Sequence, residues 1–327
     1  MTEPLLEVHH ARCAMTCMAS GKQRRHRIQQ DGNTQGMVRA APTIVEPEVE
    51  DAVDHTKHVA GCAVCTACGT QYPPSPAPPP RCDICCDARQ FVPRQGQTWT
   101  DLPALRGGHA NAFRRLRAGL YEIRTQPAFA IGQRALLVVT AAGNVLWDCV
   151  ALLDDATVDI VNALGGLRAV AISHPHYYTT MVEWARAFGC PVWLHEADRQ
   201  WVVRDDPALR FWSGERIALN AGTTLLRVGG HFPGATVMHW ADGTGVLLSS
   251  DVLQVTPDRS HVSFMYSYPN YLPLPAGTVR AIGLALEGDA YDAIYGSFAD
   301  AQIEHDAKPA VARSIARYLA LLDGSFE

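Results

Sequence analysis

His174-Pro175-His176 follows directly on the apolar run Leu167-Arg168-Ala169-Val170-Ala171-Ile172-Ser173. The run reads as a buried strand, which puts two imidazoles at its mouth. Side chains two apart on an extended backbone point the same way, so both can reach one metal ion. Two further segments carry donors of matching type: Gly229-Gly230-His231-Phe232-Pro233-Gly234-Ala235, and the apolar strand Gly245-Val246-Leu247-Leu248-Ser249-Ser250, which ends in Asp251. Three neutral imidazoles and a carboxylate suit a zinc-like ion. One open position on such an ion holds a water, lowers its pKa toward neutrality and makes hydrolysis chemically accessible.

A second set of donors lies upstream. Cys65-Thr66-Ala67-Cys68-Gly69 and Cys82-Asp83-Ile84-Cys85 are two C-x-x-C pairs separated by thirteen residues, among them the run Pro73-Pro74-Ser75-Pro76-Ala77-Pro78-Pro79-Pro80. That spacing predicts a four-thiolate zinc ribbon on Cys65, Cys68, Cys82 and Cys85. Cys62 and Cys86 compete as ligands, since Cys62 and Cys65 also form a C-x-x-C, but only the Cys65/Cys68 pair is followed by glycine. A metal here holds together a segment too small for its own core, so its expected role is structural, with the ribbon docking on the larger domain. Cys13 and Cys17 are assigned nothing.

Residues 1–60 show no sustained periodicity and read as a disordered leader, with the ribbon over 61–92 and a linker and docking segment over 93–117. From residue 118 short apolar runs separated by turn residues predict a β-meander: Leu120–Arg124, Phe129–Gly132, Ala135–Thr140 and Asn144–Cys149. A helix over Thr157–Leu164 precedes the His174 strand, and a second is expected over Tyr178–Phe188. The later half repeats the order, with strands near 223–228, 236–240, 245–249 and 293–295 and helices over 275–287 and 305–322. Two sheets covered outside by helices satisfy this α/β pattern, with the strand-end loops meeting along one edge.

The order H-x-H, then G-H-x-P-G, then strand-Asp resembles the metallo-β-lactamase-fold hydrolases across roughly residues 115–322. The resemblance implies a four-layer αββα sandwich over 118–327, carrying the small N-terminal zinc ribbon. It also exposes a departure. The family's first loop reads H-x-H-x-D-H, whereas this chain reads His174-Pro175-His176-Tyr177-Tyr178-Thr179. The strand Ala293-Ile294-Tyr295-Gly296 likewise runs into Ser297 where the family places a further histidine. Three donors of the second metal position are therefore missing, and the resemblance implies a mononuclear site on His174, His176, His231 and Asp251. The proton acceptor that the motif aspartate would provide must then be Asp251, or a tyrosine, Tyr177 or Tyr178, must donate to a developing oxyanion. Asp251 and Tyr178 are the catalytic candidates.

A chain of 327 residues, 47% hydrophobic, can bury a large core, and its net charge of -5 offers no overall field for nucleic acid. The basic run Lys22-Gln23-Arg24-Arg25-His26-Arg27 reads as a solvated tail segment. The start lacks a secretory pattern and no segment reaches about 18 uninterrupted apolar residues, so neither export nor a membrane span is expected. Ten cysteines, six of them between residues 62 and 86, suit metal binding in a reducing cytoplasm better than a disulfide framework. The reading is a cytoplasmic metal-dependent hydrolase acting on a small molecule, with one zinc in the core and one in the ribbon; iron is the other ion both donor sets accept. Ester, thioester and lactone substrates fit this chemistry, and nucleic-acid and membrane partners are not expected. The competing reading is a non-catalytic metal-binding or interaction protein on a decayed hydrolase core. Oligomeric state is not legible.

Overall fold

Alternation along short, fully buried strands divides the apolar residues among three layers of core. In Val145–Trp147 the middle residue Leu146 faces helices while Val145 and Trp147 face the opposite sheet; in Val246–Leu248, Leu247 does the first and its neighbours the second. This period of two is what strands buried on both faces require. The central layer, with Leu136, Val138, Trp147, Trp212, Leu225, Met238, Trp240 and Tyr295, lies between the sheets.

The computed structural model describes residues 61–94 and 96–326, all within one compact unit, Ala41–Glu327. The leader expected over 1–60, Cys13, Cys17 and the basic run at 22–27 lie outside the described residues. A seven-stranded sheet has the spatial order Leu209–Trp212, Val192–His195, Ala169–Ala171, Val145–Trp147, Ala135–Val138, Leu120–Gln126, Ala110–Arg117. Its first four strands are parallel and the rest antiparallel. Facing it is a six-stranded sheet, Arg216–Asn220, Thr223–Arg227, Thr236–Trp240, Val246–Leu248, Ala293–Tyr295, Gln302–Ile303, antiparallel except where Val246–Leu248 runs parallel to Ala293–Tyr295. Helices Asp155–Ala163 and Met181–Phe188 cover the first sheet; Ala276–Leu286 and Ala307–Asp323 cover the second. The result is the four-layer αββα sandwich.

Three expectations need correction. Residues 93–117 are not a linker: Ala110–Arg117 is the edge strand of the first sheet, paired with Leu120–Gln126, and a short helix, Leu102–Gly108, precedes it. Its exposed residues, Ala110, Ala112, Arg114 and Arg115, break any apolar run and concealed the strand. Trp99–Thr100 pairs with Cys62–Cys65, so the ribbon's sheet reaches past residue 92. The run at Phe129–Gly132 is a turn rather than a strand.

Within the ribbon, Gly69 adopts φ +82, and its amide donates to Cys65 O at 2.8 Å, closing the first knuckle. A side chain at Gly69 would press on Ala151 and Thr179 of the sandwich. The ribbon is docked there: Gln71 N donates to Thr179 O, and buried Arg204 bridges the Gln71 side chain and Glu183. Among the described residues no helix is long and apolar enough to cross a membrane.

Candidate metal centre

The His174 loop leaves the carboxyl end of Ala169–Ala171, next to the parallel strand Val145–Trp147, which ends in Asp148. The Asp251 loop leaves the carboxyl end of Val246–Leu248 in the other sheet, beside its own parallel partner. Carboxyl ends of parallel strands thus deliver donors from both sheets to one edge, the usual ligand position in α/β sheets. Asp148 and Ser250, at φ +60 and +51, make the sharp exits.

His174, His176, His231 and Asp251 come together, each contributing a donor atom within 4.8 Å of the others. The two histidines of the first loop do not meet by strand alternation. Pro175 opens a single 3-10 turn, Pro175–Tyr177, and that turn brings the imidazole centroids to 5.1 Å. His231 Nε2 faces His176 Nδ1 at 3.3 Å, and His174 Nε2 lies 3.8 Å from Asp251 Oδ2. Nitrogens held about 2.0–2.1 Å from a shared tetrahedral ion stand about 3.3 Å apart.

Proton placement supports the same fit. Burial pushes His174 and His176 well below their ordinary pKa and His231 down to about 4, so all three are neutral. The His231 Nδ1 proton goes to Met265 O at 3.1 Å, leaving the Nε2 lone pair directed at His176. His174 Nδ1 lies 2.8 Å from Ser173 Oγ, which is 2.7 Å from Asp148 Oδ1 and 2.6 Å from Ser250 Oγ; Ser297 Oγ donates to Ser250 Oγ at 3.1 Å. Every proton in this network finds an acceptor when Ser297 donates to Ser250, Ser250 and His174 Nδ1 donate to Ser173, and Ser173 donates to Asp148. His174 Nε2 then carries a bare lone pair, and it has no hydrogen-bond partner, nor do His176 Nε2 and Asp251 Oδ1. The inward lone pairs of His174 Nε2 and His231 Nε2, buried beside His176 Nδ1 and the Asp251 carboxylate, are what a cation requires. Burial also pushes Asp251 up to about 6 and Asp148 up to about 7.

The thiols form the second group. Cys65, Cys68, Cys82 and Cys85 lie together, with Cys65 Sγ to Cys85 Sγ and Cys68 Sγ to Cys82 Sγ both 3.6 Å, while Cys62 and Cys86 stay outside the group. Sulfurs about 2.3 Å from a tetrahedral ion would be about 3.8 Å apart. Gln97 Nε2 donates to Cys65 Sγ at 3.1 Å and its Oε1 accepts from Cys82 N, so the segment after residue 92 helps build the knuckle. No third group of three or more His, Cys, Asp or Glu donors gathers among the described residues.

Tyr178, the tyrosine expected to donate, instead lines a small cavity with Thr70, Gln71, Val182 and Arg204 under the ribbon. Its ring is committed to the core beside helix Met181–Phe188. The phenol at the metal centre is Tyr177: its ring centroid is 4.5 Å from that of His174, and its buried hydroxyl, with Asp251 and Ser297 as polar neighbours, makes no hydrogen bond of acceptable geometry. His195 is not at the centre either; it bonds Gly214 O and packs on Trp212. The loop 267–273 forms a wall, with Tyr268 6.0 Å from His231 by ring centroids and Ser267 and Asn270 bonded to the ribbon at Ala88–Gln90. Sequence reasoning missed Asp148, Ser173, Ser250 and Arg89. Ser173 and Ser250 adjoin recognised donors and Asp148 ends an apolar strand, which are usable signals; Arg89 has none.

The chain is 44% identical over 265 residues to the uncharacterized protein YmaE of Bacillus subtilis (strain 168), an alignment spanning 80% of this chain and 96% of that protein. It belongs to the YmaE family. No protein-family model matches the chain. Among solved structures it is similar to the metallo-beta-lactamase of Erythrobacter litoralis, at 19% identity and TM-score 0.46 over 65% of this chain and 96% of that one. A second is the metallo-beta-lactamase FIM-1 of Pseudomonas aeruginosa in its mono-zinc form, at 13% identity and TM-score 0.47 over 66% and 96%. On the layer order and strand-end donors described above, the sandwich of this YmaE relative is the metallo-β-lactamase fold, joined to a four-cysteine knuckle.

Proposed function

We propose that this protein is a metal-dependent hydrolase working with a single ion, zinc by preference, held by His174, His176, His231 and Asp251, while a second zinc in the four-thiol knuckle is structural. The observation that carries the reading is the convergence of four buried donors, two of which, His174 and His231, are turned inward by hydrogen bonds to their far ring nitrogens. What a bound ion supplies there is Lewis acidity, toward a water and toward a carbonyl oxygen. The chain supplies the rest. Ser173 and the Met265 carbonyl fix which imidazole nitrogen faces inward. Asp251, the carboxylate of the set, would hold the ion or accept a hydrogen bond from the water beside it. Tyr177, buried and raised well above the ordinary phenol range, stays protonated and can donate to a developing oxyanion. Small carbonyl substrates of the ester, thioester or lactone type match one ion and one phenol; two-ion phosphodiester chemistry does not. The eight described cysteines form no disulfide, which suits a reducing, cytoplasmic setting.

A second reading, a metal-binding protein without turnover, draws on burial: the four donor residues are only 1%, 4%, 2% and 7% exposed in the order named, closer to a closed structural site than to an open catalytic one. Elemental analysis of the purified chain beside a hydrolysis panel of thioester, lactone and phosphodiester substrates separates the two. Two metals per chain with turnover lost in His231→Ala supports the hydrolase. Two metals with no turnover on any substrate supports the second reading. No metal at the His/Asp set defeats both.

A further inference from the structure

The knuckle does not merely sit on the sandwich; its trailing end reaches the metal centre. Cys86 N bonds Cys82 O and Asp87 N bonds Ile84 O, so the turn carrying Cys82 and Cys85 continues without a break into Asp87-Ala88-Arg89. Asp87 grips Arg89 twice, Nε to Oδ1 at 2.5 Å and Nη2 to Oδ2 at 2.8 Å. The guanidinium, on a residue only 8% exposed, lies 3.7 Å from the centroid of Phe232 and donates through Nη1 to the carbonyl of His231 at 3.2 Å. The Arg89 carbonyl accepts from Ser267 Oγ at 3.0 Å, two residues from Met265, whose carbonyl holds the His231 ring. One ribbon residue therefore fixes the backbone of a donor, the aromatic ring beside it, and the loop that orients its imidazole.

We infer that Arg89 is a positioning residue through which the occupancy of the four-thiol knuckle sets the metal affinity of the His174/His176/His231/Asp251 centre. The inference rests on the reading that both donor sets hold metal. A folded knuckle presents the Asp87–Arg89 pair in one geometry; an empty one releases the turn between Cys82 and Cys85, and with it the clamp on His231. Groups that orient metal ligands from behind are worth about 10–100-fold in affinity. Coupling is reciprocal, so filling the sandwich centre tightens the knuckle's hold on its own ion by the same factor.

The test is cobalt titration of the full chain, because four-thiolate cobalt shows sulfur-to-metal charge transfer and a histidine–carboxylate centre does not. Arg89→Met should weaken cobalt binding at the histidine centre about 10–100-fold while the thiolate band is retained, and Arg89→Lys, which restores the positive charge and a donor for the His231 carbonyl, should recover part of the loss. Cys82→Ser should weaken the histidine centre comparably. The double variant Cys82→Ser/Arg89→Met should show no further loss beyond the larger single effect, because both act along one route. Wild-type affinity in Arg89→Met, or additive losses in the double variant, overturns the inference and leaves the metal assignment standing. A wild-type chain whose histidine centre takes up no cobalt overturns both.

Discussion

Asp198 offers a quantitative test of how the His231 loop is held. The residue lies in the 3-10 segment Glu196–Trp201, is buried, and accepts the Gly234 amide on Oδ1 at 2.9 Å, anchoring the far end of Gly230-His231-Phe232-Pro233-Gly234. Its pKa is pushed from 3.8 up to about 6, burial outweighing the Gly234 bond and the charges of Arg89 and Arg227. A carboxyl raised in the folded state binds more protons there than in the unfolded chain between pH 4 and 6, so stability falls as pH rises through that window and the full cost is present above it. A rise from 3.8 to about 6 corresponds to about 3 kcal/mol. Asp198→Asn keeps the shape and the acceptor for Gly234 but never ionises. The variant should therefore exceed wild type by about 1–3 kcal/mol at pH 8, with the gap closing toward pH 4. Urea unfolding of the two proteins side by side at each pH, followed by tryptophan fluorescence, measures it. A pH-independent gap, or a variant less stable than wild type at pH 8, refutes the assignment of burial as the dominant cause.

Other outcomes follow from the same geometry. Ser173→Ala removes the hydroxyl joining Asp148, Ser250 and His174 Nδ1, and should weaken metal binding at the histidine centre about 10–100-fold by titration without altering the knuckle; unchanged affinity would show that the network does not orient His174. His231→Ala should cost the chain one metal and Cys68→Ser the other, read by elemental analysis, and full metal retention in both would dissolve the two-site assignment. Trp147→Ala, at a residue 1% exposed between the sheets, should cost about 3–5 kcal/mol in denaturant unfolding, and a loss below about 1 kcal/mol would show that the intersheet layer repacks around the gap.

What was legible in the sequence were features whose chemistry is local. The knuckles announce themselves because C-x-x-C followed by Gly69 encodes a turn and two ligands within five residues, the His174 and Asp251 loops because each follows an apolar strand, and the His231 loop by its flanking glycines. The strand Ala110–Arg117 was not legible because this edge strand buries none of its residues fully and carries Arg114, Arg115 and Arg117, and so lacks the apolar run that marked its neighbours. The first two histidines were expected to share a direction along an extended backbone, whereas Pro175 opens a 3-10 turn that brings their rings together. Tyr177 and Tyr178 are adjacent and chemically identical, and only the phase of that turn decides that the first faces His174 and the second the core.

Arg89 marks where local reading ends, and it explains a puzzle the donor set raises. On the single-ion reading proposed above, the centre would lack a neighbouring ion to help fix its loops. The sandwich replaces that support with protein: Ser173, Ser250, Ser297 and Asp148 behind His174, Asp198 under Gly234, and a guanidinium from another module over His231. Arg89 contributes a cation beside the centre, but Asp87 holds it in a paired, bidentate geometry, so the clamp is rigid without adding a bare positive charge against an incoming ion. Asp87→Asn tests that division of labour. The substitution keeps one acceptor for Arg89 and removes the compensating charge, so metal affinity at the histidine centre should fall, and fall more at low ionic strength than at high. Equal loss at both would assign Asp87 a purely geometric part.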